Sequence, residues 1–330
     1  MRGTSGWRVL VTGGLGFIGS NLARRLAELG ADVTIVDSLV AGCGANRFNV
    51  RGIAARVIEA DIGRPETIRD AIERADVIFN LAGEVSHLDS MLRPERDLEI
   101  NAATQLRFLD AVAKWRRGVR VVYASTRQVY GIPEYLPVDE RHPVRPIDFN
   151  GVHKFAATQY HTMLTRQGDL DAIALMLTNV YGPRQSLTAA NQGFLGVFMR
   201  QALQKQRLKI YGDGSQVRDP LYIDDCVDAF LKAAALRNPA LRRMNVGNPE
   251  HLPLSAIASV ISRQAGLPPP EQIPFPDHLR KIDIGSYFTD STAFCEATGW
   301  APRVSFEEGA ARTLDFYREN LAHYLPATAA

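Results

Sequence analysis

The chain has 330 residues, 46% apolar and 22% charged, with 38 basic against 36 acidic side chains. That length suggests about two domains, and the composition is that of a globular protein that buries a core without disulfides or structural metals. The net charge of +2 excludes a broad nucleic-acid surface, no run of about 18 apolar residues is present to span a membrane, and Cys43, Cys226 and Cys295 are too scattered for a disulfide framework or a metal site. The first residues, Met1 to Trp7, lack an apolar signal core, so a cytoplasmic protein is expected.

In chain order, Trp7–Thr12 reads as a strand, followed by glycines and an amphipathic helix from about Phe17 to Leu29. Val33–Val36 is a second strand, and Ala55–Glu59 and Val77–Asn80 are two more. Pro65 suits the first turn of a helix that runs to about Arg74. A longer helix, about Pro94–Trp115, leads into the strand Val119–Ala124. Strand and helix alternating in this way predict an α/β fold, a doubly wound parallel sheet of Rossmann type. Ligands then gather at the C-terminal ends of the strands. After about residue 180 proline density rises and short strands sit among longer loops. This predicts two units: residues 1–180, with a return segment near 220–248, for the dinucleotide, and a smaller mixed domain over 181–330.

The strongest local signal is Thr12-Gly-Gly-Leu-Gly-Phe-Ile-Gly19, between a strand and a helix. Gly13, Gly16 and Gly19 permit a tight turn, and the helix start, Phe17 and Ile18 included, presents free N–H groups to a pyrophosphate. Asp37, 18 residues past Gly19, suits ribose hydroxyls and repels a 2′-phosphate, which favours NAD over NADP. Asp61-Ile62 follows the third strand and suits the adenine side. Asn80-Leu81-Ala82-Gly83 follows the fourth and suits the nicotinamide side.

With these motifs stand Asn101, Ser125-Thr-Arg-Gln-Val-Tyr-Gly131, Asn179-Val-Tyr-Gly-Pro183, Arg218-Asp219, Tyr222-Ile-Asp-Asp225 and Asn245-Val-Gly-Asn248. Together they resemble the extended short-chain dehydrogenase/reductases, in the nucleotide-sugar epimerase/dehydratase branch, over essentially the whole chain. The resemblance implies NAD as cofactor, a nucleotide-diphosphate sugar as substrate and a homodimer formed through the helices near Pro94–Trp115 and Val152–Arg166. It implies epimerisation by transient oxidation to a keto-sugar, with C4 favoured over C2. Net oxidation or decarboxylation of such sugars is the alternative reaction. The resemblance also assigns roles: Thr126 to the sugar oxygen, Lys154 to the nicotinamide ribose, and Asn101, Leu81 and Ala82 to the cofactor side. Glu84, Asn179 and Arg218 fall to the substrate, and Arg280 with Asp283 to a second clamp. Arginine suits such phosphate contacts because its planar fork donates two parallel hydrogen bonds. The segments Leu81–Ser86, Gly182–Gln185, Asn191–Phe198 and Gln216–Asp219 also resemble CDP-tyvelose (CDP-paratose) 2-epimerases.

One position departs. The family reads Tyr-x-x-x-Lys, and this chain reads Asn150-Gly-Val-His-Lys154. The spacing keeps both side chains on one helix face, but a neutral amide has no usable acid–base chemistry. General acid–base help is worth about 10²–10⁴-fold. Three accounts stay open. Another group is the base, with Lys154, Glu84, His87 and His153 as candidates. A water held by Asn150 and Thr126 relays the proton. Or the chain is a catalytically impaired relative that binds NAD and a nucleotide sugar. Arg127-Gln128 after Thr126 offers no carboxylic acid to protonate a departing hydroxide, which argues against dehydration.

Overall fold

The computed structural model describes residues 4–188, 193–277 and 283–325. Seven strands form one sheet: β1 (Arg8–Thr12), β2 (Asp32–Asp37), β3 (Ala55–Glu59), β4 (Val77–Asn80), β5 (Arg120–Thr126), β6 (Asp171–Leu177) and β7 (Arg243–Val246). Their order is β7-β6-β5-β4-β1-β2-β3, and every pairing is parallel. The order reverses beside β1. That opens a crevice at the carboxyl ends of β1 and β4, where ligands bind in such sheets.

Burial on both faces explains the near-continuous apolar runs of the strands. On one face, Leu22 and Leu26 of α1 (Phe17–Glu28) pack in the same core as Phe230. On the other, Ile72 of α2 (Arg69–Arg74) meets Phe108, Leu109 and Val112 from the segment before β5. That segment is not one regular helix. A short α3 (His87–Leu92) precedes α4 (Pro94–Leu98), a π-helical turn over Glu99–Ala103 and then α5 (Thr104–Trp115). The apolar periodicity shows the helix but not the wider turn inside it, a feature frequent at functional sites. α6 (Phe149–Arg166) follows β5 and starts on the side chain of Asp148, whose Oδ1 accepts Gly151 N–H at 2.7 Å.

The later chain builds α7 (Phe194–Leu203), α8 (Ile223–Ala235) and α9 (Leu254–Gln264), with two-stranded pairings such as Lys209–Tyr211 beside Glu271–Ile273. α8 packs on α1, and β7 then extends the main sheet. The turn before the helix Phe306–Asn320 is tied down by Asp225. Its carboxylate accepts the N–H groups of Arg303 and Val304, both at 3.0 Å. Asp225→Ala strands both donors, at about 1–3 kcal/mol for each group left unpaired. Urea unfolding followed by the emission of buried Trp300 should show a loss of about 2–4 kcal/mol.

Candidate active site

The glycine turn lies at the carboxyl end of β1, and its glycines are required by contact. Gly13 has φ +66°, and a Cβ there would lie 2.8 Å from Leu81 O. A Cβ on Gly19 would lie 2.3 Å from Gly13 O. At Gly16 a Cβ would touch only Gly13 O, so the turn faces open space. No side chain caps the start of α1, which leaves its first N–H groups free for an anion. Asp37 closes the far side. Its carboxylate accepts Leu15 N–H at 3.0 Å and Leu39 N–H at 2.9 Å, and burial raises its pKa despite these bonds. This cradle, with an acid at the end of β2, fits a dinucleotide carrying free ribose hydroxyls.

One cavity of about 440 Å³ runs from Gly13, Asp37 and Asp61 past Leu81 and Ala82 to Thr126, Asn150, Lys154 and Asn179. Gly16, Phe17, Ile18, Gly19 and Ile62 line it too. Asn101 does not. Its amide clamps the backbone of Glu84 from behind, accepting Glu84 N–H at 3.0 Å and donating to Glu84 O at 3.1 Å. It therefore shapes the loop that bears Gly83. The Glu84 carboxylate turns away from the cavity toward Arg96, 3.6 Å away, and burial raises its pKa.

On the opposite wall, Thr126 ends β5, and its hydroxyl accepts Gln128 N–H at 3.2 Å. Lys154 is buried, with Nζ donating to Ala124 O at 3.3 Å and lying 5.2 Å from the centre of the Tyr123 ring. Burial lowers its pKa from 10.5 to about 8, while the charge of Asp97 acts to raise it. A Cβ on Gly83 would sit 2.7 Å from that ammonium nitrogen. Asn150 is 1% exposed. Its Nδ2 donates to Glu84 O and to Asp97 Oδ2, both at 2.9 Å. His153 Nδ1 meets the other oxygen of Asp97 at 2.8 Å.

The second half of the expected substrate site is less assembled. Asn179 lies on the cavity wall. Arg218 lies outside the lining, and its Nη1 donates to the backbone oxygens of Val217 at 2.8 Å and Gly285 at 2.6 Å. Burial lowers its pKa to about 10, with Arg127 next in effect. Asp283 accepts Gln216 Nε2 at 2.9 Å. Arg280 falls outside the described residues, as do Asn191 and Gln192.

Sequence reading missed two acids. Asp97 is buried and holds Asn150 and His153. Asp148 caps α6 and meets His87 Nδ1 at 2.5 Å. Asp148 carries the ordinary signature of an N-cap residue, two positions before Asn150. Its partner is 61 residues away, which no spacing rule reveals.

A doubly wound sheet with this glycine turn, an acid after β2 and a Thr/Lys pair on the facing wall defines a dinucleotide-dependent enzyme of short-chain dehydrogenase type. The family profile described as "NAD dependent epimerase/dehydratase family" matches residues 9–247, and the chain belongs to that family. It is 33% identical over 319 residues to the UDP-glucose 4-epimerase of Mycolicibacterium smegmatis, covering 94% of this chain and 98% of that one. The structure of the UDP-glucose 4-epimerase of Thermotoga maritima with UDP-glucose superposes with a TM-score of 0.86 at 30% identity, covering 95% of this chain and 99% of that one. The dTDP-glucose 4,6-dehydratase of Streptomyces venezuelae, solved with NAD bound, gives 0.85 at 26% identity, covering 96% and 99%. NAD is the family's cofactor, and the cradle described above fits it.

Gly19→Ala forces the glycine turn away from α1 and should weaken NAD by at least about tenfold, or about 1.4 kcal/mol, in calorimetric titration. Lys154 yields a second expectation. With its pKa lowered to about 8, the folded chain binds fewer protons than the unfolded chain between about pH 8 and 10.5. This side chain therefore makes stability rise with pH across that window. Urea unfolding near pH 7 and near pH 10 should show that Lys154→Met lacks part of the rise, on the order of 3 kcal/mol.

Proposed function

We propose that this chain is an NAD-dependent epimerase of a nucleotide-activated hexose, acting at C4. The observation that carries the reading is one cavity whose wall joins the glycine turn and Asp37 to Thr126, Asn150 and Lys154. NAD, when bound, would supply a reversible hydride acceptor. Thr126 is suited to hold the sugar oxygen, and Lys154, held between Ala124 O and Gly83, to hold the cofactor's ribose. Asn179 is suited to the substrate on the same wall. Arg218, Arg280, Asp283 and Glu84 remain our assignments to the nucleotide sugar by family position, with Arg218 and Glu84 needing to turn from their present partners. The UDP-glucose 4-epimerases among the relatives support C4.

Residues 1–180 with the return over 220–248 form the cofactor unit in this reading, supported by α8 on α1 and by β7 in the sheet. Residues 181–330 serve the sugar nucleotide. A homodimer is supported by the exposed Leu98, Leu106, Phe149, Val152 and Met163 on α4, α5 and α6, since a cluster of exposed apolar side chains marks an interaction surface. Cys43, Cys226 and Cys295 are unpaired, which supports a reducing, cytoplasmic setting. No described helix is long and apolar enough to cross a membrane.

The test is incubation of the purified protein with UDP-, dTDP-, CDP- and GDP-hexoses, with the products identified by NMR. Inversion at C4 without net NADH formation is expected. Lys154→Met should abolish turnover while NAD remains bound. Inertness with every sugar, or net oxidation, would overturn the reading.

A further inference from the structure

The oxidation of a sugar hydroxyl releases a proton, and the position that would take it is an amide. Among the described residues no tyrosine lines the cavity. Tyr130 donates its phenol to Asn245 at 2.7 Å, and Tyr123 lies behind the wall. Two earlier candidates also fail on geometry. Neither Glu84 nor His153 lines the cavity; the first turns to Arg96 and the second to Asp97. Asp37 and Asp61 belong to the adenosine end, at the termini of β2 and β3. Glu99 is paired with Arg107 at 2.5 Å. Burial pushes the Cys43 thiol up and keeps it neutral. Of the titratable groups that line the cavity, His87 and Lys154 remain. The lysine is a poor hydroxyl base here because its charge is the group suited to the cofactor ribose.

His87 lines the cavity, and its side chain is 36% exposed. Its Nδ1 faces Oδ2 of buried Asp148, which is fixed in turn by capping α6. A carboxylate on Nδ1 holds the Nδ1–H tautomer and leaves Nε2 as the basic nitrogen. In the structure Nε2 faces the Gln128 amide nitrogen, and the other end of that amide, Oε1, is buried without a partner. Rotation of the amide would bring that oxygen to a protonated Nε2. Asp148 therefore fixes one end of the imidazole, and a sugar hydroxyl reaches Nε2 once the Gln128 side chain swings aside.

We propose that His87, oriented by Asp148, is the acid–base residue of this enzyme in place of the missing tyrosine. The proposal rests on the epimerase reading above. In the forward step the sugar O–H breaks and its proton goes to His87 Nε2. The C–H bond breaks with its electron pair passing to NAD as hydride, and the carbonyl forms from the O–H electron pair. The return step reverses both transfers on the other face of the sugar. Asp148 remains a positioning residue that keeps its charge throughout.

The experiment is chemical rescue. His87→Ala should lower kcat by about 10²–10⁴-fold, and added imidazoles should restore turnover with rates that follow their basicity. His87→Gln, which keeps a polar side chain at this position, should be equally slow. Asp148→Asn retains the helix cap and should lower kcat with little change in KM. Imidazole ¹⁵N NMR of the wild-type protein before sugar is added should show His87 as the Nδ1–H tautomer. A kcat for His87→Ala within about threefold of wild type, a loss that no imidazole rescues, or an Nε2–H tautomer overturns the proposal. Wild-type turnover in the same assay separates these results from failure of the epimerase reading, which appears as inertness of the wild-type protein itself.

Discussion

A buried carboxylate, Asp97, sets the arrangement of this site. It is 1% exposed and forms no ion pair with a lysine or arginine among the described residues. Such a group is tolerable only with close hydrogen-bond donors. Both donors come from α6, at positions 150 and 153, three apart and therefore on one helix face. An asparagine at 150 has two N–H bonds to give, and it uses them on Asp97 and on the carbonyl of Glu84. A phenol has one. The amide thus pins the loop after β4 to the start of α6, and the same loop carries Gly83 against Lys154. The residue at the family's tyrosine position is therefore employed in holding the cavity together.

That employment divides labour among the neighbours. Asn101 holds Glu84 from within the π-helical turn, so the loop is fixed from two sides. Lys154 keeps its place by burial, by the Ala124 carbonyl and by the Tyr123 ring, and burial brings its pKa down to about 8. In the proposed mechanism the acid–base group sits on a different element. α3 supplies it with an imidazole that reaches the same helix start through Asp148. One acid caps α6 and orients the imidazole, so the geometry of the helix terminus and that of the titrating group cannot drift apart.

The parts legible in sequence are those written in local spacing. The strand–glycine–helix of Thr12 to Gly19, the acid at Asp37 and the i, i+4 pair at 150 and 154 need only a few consecutive residues. The alternation of elements was enough for the parallel sheet. What escaped depends on contacts between distant segments. Asp148 meets His87, Asp97 meets Asn150, and Asn101 meets the Glu84 backbone rather than the cavity. Glu84 and Arg218 stand at family positions, yet each side chain is turned to a partner inside the protein. A spacing rule reports which residues share a face, and it is silent on which partner each one takes.

The charge balance gains meaning at this scale. A net of +2 over the whole chain conceals a divided cavity wall, lined by Asp37, Asp61 and Glu99 as well as by two cations. Lys154 and Arg127 both line it, and neither has an ion-pair partner among the described residues. Arg127 instead stacks at 4.7 Å over Tyr287, and burial lowers its pKa. Arg218, buried nearby, is lowered in the same way and further by Arg127 itself. Desolvated cations of this kind are costly unless an anion joins them. A ligand that brings phosphate into the cavity relieves that cost as it binds, whereas a neutral sugar of the same shape does not. In the proposed reading, Arg127 is the cavity-lining cation open to a phosphate-bearing ligand, while Lys154 serves the cofactor ribose.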